Sequence, residues 1–298
     1  MSYKPINTKN DKVLPLSEVY RLDKIFLKKG WPKETCFDNK VFDNFCKTLA
    51  KYTPEQRELI LSLTNDFIWI QPENYMPYFE ELFSEFISSY NFESEPGSIS
   101  EEKSESNKKS RPKIKICPLL AKDDTNKVKS STTLLYLIKG QIKAIQKKYS
   151  NYNIFIKDDP TQNINNKEKN TIFCLVDDFL GTGKTAENAV SILNENGVST
   201  NRIVVLVLVG MKEGIEFLRT KNIAVFAHFI CNKGITGNEN DTDKLRIMEE
   251  IEKEIKVKKE YSFGYESSES LVRMIRTPNN TFPFFWLWKE KHDAPFPR

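Results

Sequence analysis

The feature that most constrains this chain is the run Ile172 to Thr185, which reads I-F-C-L-V-D-D-F-L-G-T-G-K-T. Five unbroken apolar residues are the pattern of a strand buried on both faces, as in a parallel sheet covered by helices. A parallel strand needs a crossover to its neighbour. Here the crossover opens with a glycine-threonine turn and continues into the helix-like Ala186 to Asn194. Two adjacent acids, Asp177 and Asp178, stand between the apolar run and the turn. A plain buried strand with a Gly-rich turn explains the apolar run but not paired like charges near its end.

Each residue type in this stretch suits a ribose 5-phosphate. Gly181 and Gly183 lack a Cβ, so the turn can take positive φ and bring backbone N–H groups close to a phosphate. Thr182 and Thr185 add hydroxyl donors. The next helix starts at Lys184 or Thr185, and its free N–H groups and dipole then point at the same anion. Carboxylates at Asp177 and Asp178 accept from the vicinal 2′ and 3′ hydroxyls of a ribose and repel a second phosphate there.

The residues L-V-D-D-F-L-G-T-G-K-T resemble the phosphoribosyl-pyrophosphate (PRPP) loop of type I phosphoribosyltransferases. In that family an apolar strand leads to two acids and a Thr/Ser-Gly-x-Thr phosphate loop. Gly181 stands where the family has Thr or Ser, which removes one hydroxyl and keeps the amides. The resemblance implies an α/β fold with a parallel sheet flanked by helices. It also implies that Asp177 and Asp178 hold the ribose hydroxyls while Gly181, Thr182, Gly183, Lys184 and Thr185 hold the 5′-phosphate. Magnesium would enter through the ligand's phosphate oxygens, with no direct protein ligand. A rival reading takes Gly183-Lys184-Thr185 as the end of the P-loop of an NTPase, but the leading glycine of G-x-x-x-x-G-K-T then falls on Asp178. A carboxylate there would face the β-phosphate.

The 298 residues carry 45 basic and 41 acidic side chains, a net charge of +4, and this balance selects neither for nor against nucleic acid. Five cysteines at wide spacing, with no C-x-x-C, form neither a disulfide framework nor a zinc site. No apolar run approaches the roughly 18 residues of a membrane span. A reducing cytoplasm, with no membrane, is the expected setting.

Composition divides the chain into a helical N-terminal domain at 1–90, a disordered linker or loop at 91–112, and an α/β domain at 113–298. Helices are expected where Val41, Phe42, Phe45, Cys46 and Leu49 share a face, after Thr53-Pro-Glu-Gln, and along the aromatic stripe Tyr75 to Ser89. In the α/β part, strands are expected at 113–120, 133–138, 152–156, 203–209 and 223–230. The strand Thr133 to Ile138 would stop at Lys139-Gly140, where the resemblance puts the pyrophosphate loop. Lys139 therefore joins Asp177 and Asp178 as a catalytic candidate, with Lys139 or Lys184 neutralising pyrophosphate charge. The polar loop Lys157 to Asn170 sits where the family has a lid. His228, inside an apolar strand, reads as a core histidine.

The tail T-P-N-N-T-F-P-F-F-W at 277–286, taken with the acid pair and the N-terminal helices, is similar to phosphoribosyltransferase-like proteins of prokaryotic conflict systems, among them anti-phage effectors encoded beside retron reverse transcriptases. That resemblance implies partners such as a reverse transcriptase with its RNA–DNA product, or a regulatory protein, and growth arrest as the outcome. A structural strap is the simpler reading of the tail. Three functions stay open: a phosphoribosyltransferase-like effector binding PRPP or a nucleotide, a module that keeps the cradle without turnover, and a P-loop NTPase. Oligomeric state is not legible.

Overall fold

The computed structural model describes residues 13–35, 40–90, 111–122, 129–161, 164, 170–237, 241–289 and 292–298. In chain order the elements begin with α1 (Leu16–Lys29), α2 (Val41–Leu49), α3 (Pro54–Asp66), β1 (Ile68–Trp69), α4 (Tyr75–Ser89), β2 (Lys113–Pro118) and α5 (Ser130–Lys148). Then come β3 (Asn153–Ile156), β4 (Thr171–Leu180), α6 (Lys184–Glu195), β5 (Ile203–Met211), α7 (Lys212–Thr220) and β6 (Ala224–Cys231). The chain closes with α8 (Thr242–Glu254), β7 (Val272–Arg273) and α9 (Pro283–Trp286). Two compact units result: Gln71–Asn232, and Met1–Ile70 together with Lys233–Arg298.

The central unit is a five-stranded parallel sheet in the order β3-β2-β4-β5-β6. Every residue of β5, I-V-V-L-V-L-V-G-M, is buried, as expected of a strand covered on both faces. Alternate side chains go to opposite faces. Phe173, Leu175, Val205, Val207 and Val225 pack with Ala189 and Leu193 of α6 and Leu218 of α7. On the other face lie α4 and α5, where Phe86 meets Phe226 at 5.8 Å between ring centres and Phe83 meets Tyr149 at 5.2 Å.

Two expectations change here. The stretch Thr133 to Ile138 is not a strand: Ser130 to Lys148 form one helix, and the buried positions Leu134, Leu135, Ile138 and Ile145 recur at helical spacing. Its short apolar run misled because six residues cannot separate a strand from a buried helix face. The aromatic helix α4 packs on the sheet rather than with the helices before it, so the contact boundary falls at Ile70. His228 lies on β6, stacked on Tyr78 at 4.6 Å, with Nε2 3.7 Å from Glu81. Residues 91–110 and, within the 157–170 loop, 162, 163 and 165–169 lie outside the described residues.

The second unit is built from sequence-distant parts. Helices α1 to α3 share one core with α8 and the aromatic tail, in which Phe45, Phe67, Phe285 and Phe296 are fully buried. A two-residue parallel pairing joins β1 to β7, Ile68 opposite Val272. Thr53 forms the expected capping box: its hydroxyl accepts from the Gln56 N–H at 3.3 Å, and the Gln56 side chain accepts from the Thr53 N–H at 3.0 Å. The tail is thus part of this shared core, tied by Trp286 Nε1 donating to Thr281 O at 2.6 Å and the Thr277 hydroxyl to Phe296 O at 2.8 Å.

His292 adds a pH dependence to this unit. Nε2 faces the Phe284 carbonyl at 2.8 Å and must donate, so Nδ1 accepts from the Tyr52 hydroxyl at 2.8 Å. Both bonds require the neutral ring, and burial pushes its pKa down from 6.5 to about 4. The unfolded chain therefore takes up a proton between those values and the folded chain does not. The contribution is complete above pH 6.5 and is lost as pH falls toward 4, amounting to about 3 kcal/mol at most. Urea unfolding followed at pH 7 and pH 4.5 should show this loss, and His292→Phe should remove it.

Among the described residues no helix is long and apolar enough to cross a membrane. Cys46, Cys117, Cys174 and Cys231 are free thiols.

Candidate active site

In this strand order the crossovers after β2 and β4 run to opposite faces, so a crevice opens between the C-terminal ends of these two neighbours. α5 follows β2 on one face and α6 follows β4 on the other. The acid pair lies in the last four residues of β4, Asp177 opposite Val207 of β5. The sheet therefore carries both acids to the place where open α/β sheets bind ligands.

Each carboxylate is anchored by a hydroxyl from a helix on the same face of the sheet. Asp177 Oδ1 accepts from the Ser130 hydroxyl at 2.6 Å and from the Asp178 N–H at 2.8 Å. Asp178 Oδ2 accepts from the Tyr75 hydroxyl at 2.8 Å. Ser130 and the Asp177 carboxyl also hydrogen-bond Asp178, so the two acids form one connected cluster. Asp177 is half-buried, whereas Asp178 is buried and Tyr75 fully so. Burial pushes Asp177 well above the usual carboxylate range; the neighbouring Asp178 adds to it and the Ser130 hydrogen bond opposes it. Burial also raises Asp178, against the opposing bond from Tyr75. Two such neighbours resist double ionisation and titrate as a pair.

Between β4 and α6 stand only Gly181, Thr182 and Gly183. Gly183 has φ +85° and is the helix N-cap; Lys184 opens α6. Gly181 and Thr182 are half-buried while Lys184 and Thr185 are exposed, so the turn is not sealed under other side chains. A three-residue connection is too short for the eight-residue loop of a P-loop NTPase, whose leading glycine would fall on the buried Asp178.

The glycines also serve packing. A Cβ on Gly183 would lie 2.9 Å from Gly214 O and from a ring carbon of Phe217, and one on Gly214 would lie 2.0 Å from Gly181 O. The turn is thus seated directly on the first turn of α7.

Sequence reasoning placed Asp177, Asp178 and Gly181 to Thr185 together, and the structure brings them together. It does not bring Lys139 with them. That residue lies nine positions into α5, about 14 Å along the axis from Ser130. There it is exposed and pairs with Asp158 at 3.1 Å. Sequence reasoning missed Tyr75, Ser130 and Gly214. Only Ser130 left a signal, a hydroxyl at a helix start, and no local pattern links it to an acid forty-seven residues later.

No curated protein matches the chain. Among solved structures, the crystal structure of orotate phosphoribosyltransferase from Aeropyrum pernix is similar at 13% identity, covering 54% of this chain and 72% of that one, with a TM-score of 0.31. The sequence model of the PRTase-CE family matches residues 48–298. That match takes in the whole parallel sheet, its acid pair and turn, and the aromatic tail. The protein belongs to the PRTase-CE family.

Proposed function

We propose that the crevice between β2 and β4 binds PRPP or a related ribose-phosphate nucleotide. The observation that carries this reading is the pairing of two adjacent carboxylates, each held by a helix hydroxyl, with an open turn at a helix N-terminus. The adjacent carboxyls of Asp177 and Asp178 suit the two hydroxyls of a ribose, and the amides from Gly181 to Thr185 suit its 5′-phosphate. Bound magnesium would supply charge neutralisation for a departing pyrophosphate. The protein's part is positioning and electrostatic complementarity at C1′.

With Lys139 away from the crevice, a module that binds without turnover gains weight as a second reading. Pyrophosphate release in the presence of PRPP, magnesium and candidate acceptors separates it from a transferase. An effector role in anti-phage defence, with a reverse transcriptase or regulatory protein as partner, is the wider proposal. It rests on the resemblance of the tail and is tested by plating phage on cells carrying wild type or an Asp177 variant.

The direct test is calorimetric titration with PRPP and magnesium. Asp177→Asn keeps the shape, removes the charge and should weaken binding by about tenfold or more, the size expected for hydrogen bonds to a charged group. Equal affinity in wild type and variant would remove the acid pair from the site.

A further inference from the structure

Tyr75 is not part of the strand, turn and helix that form the crevice. It is the first residue of α4, a helix packed on the α5 face of the sheet, and it reaches the second acid of the pair from there. We propose that Tyr75 is a positioning residue for the ribose site, holding the Asp178 carboxyl in place beside that of Asp177. This inference rests on the ribose-phosphate reading of the crevice.

Three observations support it. The donor is fully buried and the acceptor buried, so neither exchanges its partner for water at low cost. The bond occupies one carboxylate oxygen and therefore restricts rotation of the group about its own axis. The arrangement also mirrors the other acid: a hydroxyl from α5 anchors Asp177 and a hydroxyl from α4 anchors Asp178. A chain that needed only to cover the sheet would place Phe at position 75, as it does at Phe79, Phe83 and Phe86 on the same helix.

The hydroxyl has a second effect. A donor favours the ionised carboxylate, so Tyr75 works against the burial that raises the pKa of Asp178. Ser130 from α5 and Asp177 from β4 act on this acid in the same direction, through hydrogen bonds of their own. Tyr75 is the largest of the hydrogen-bonding contributions that oppose burial at Asp178.

Tyr75→Phe tests this with little change of shape. PRPP affinity with magnesium should fall about tenfold, and the pH below which binding is lost should rise by about one unit, since the carboxyl protonates more readily. A tyrosine that merely filled space would leave the pH midpoint unmoved. Unchanged affinity and midpoint in Tyr75→Phe, with Asp177→Asn still impaired, overturns the proposal and leaves the ribose-phosphate reading standing. If wild type binds no PRPP, that reading fails, and the titration of the carboxyl stretch by infrared difference spectroscopy decides the role of Tyr75. An upward shift in Tyr75→Phe, absent in an Asp178→Asn background, supports the anchoring role. No shift overturns it.

Discussion

Gly214→Ala is expected to disable the site from outside it. The added methyl would fall 2.0 Å from the Gly181 carbonyl oxygen, closer than any real Cβ contact, and the obstacle is backbone rather than a flexible side chain. Either α7 or the turn must move. Overpacking against a side chain typically costs about 1 to 3 kcal/mol. A clash between two backbones belongs at the upper end, so a loss of about 3 kcal/mol is expected, together with a displaced turn and weakened ligand binding. Gly140→Ala is the control, because Gly140 lies inside α5 with nothing within 4 Å of where the added methyl would stand and no strained φ. It should leave binding unchanged and raise helix stability slightly. Circular dichroism on urea titration reports both. A Gly214→Ala protein as stable as wild type would mean that the turn does not rest on α7.

Phe285→Ala should produce the largest loss of stability in the unit formed by the chain ends. Its ring is fully buried and lies 4.7 Å from Phe67, 5.2 Å from Phe284 and 6.4 Å from both Phe45 and Phe296, centre to centre. Removing it takes away transfer free energy and leaves a cavity among rings that cannot collapse inward, an effect of about 3 to 5 kcal/mol. All four tryptophans, Trp31, Trp69, Trp286 and Trp288, belong to this unit, so tryptophan fluorescence follows its unfolding alone. A shift in the fluorescence midpoint worth less than about 1 kcal/mol would show that the tail does not carry this core.

Much of the central unit was legible from residue order. The uninterrupted apolar runs at Ile172 and Ile203, and the alternation of strands with helices, specify a parallel sheet, because only strands covered on both faces lack polar alternation. The acid pair and the Gly-Thr turn were legible for a related reason: strand, ligand groups and helix N-terminus are contiguous in the chain. Thr133 to Ile138 was misread because a short apolar run fits two periods equally well until the flanking residues are seen to continue one of them.

Sequence alone determined the parallel sheet, the buried central strand and the identity of the groups at its C-terminal end, since each depends on neighbours within about a dozen residues. Only the tertiary structure decided that Tyr75 and Ser130 anchor the two acids, that Gly214 supports the turn, that Lys139 stands elsewhere, and that α1 to α3 share a core with α8 and the aromatic tail. These are contacts between segments far apart in the chain. Their pairing is set by which apolar faces and polar groups remain unsatisfied once the local elements have formed, and no local pattern records it.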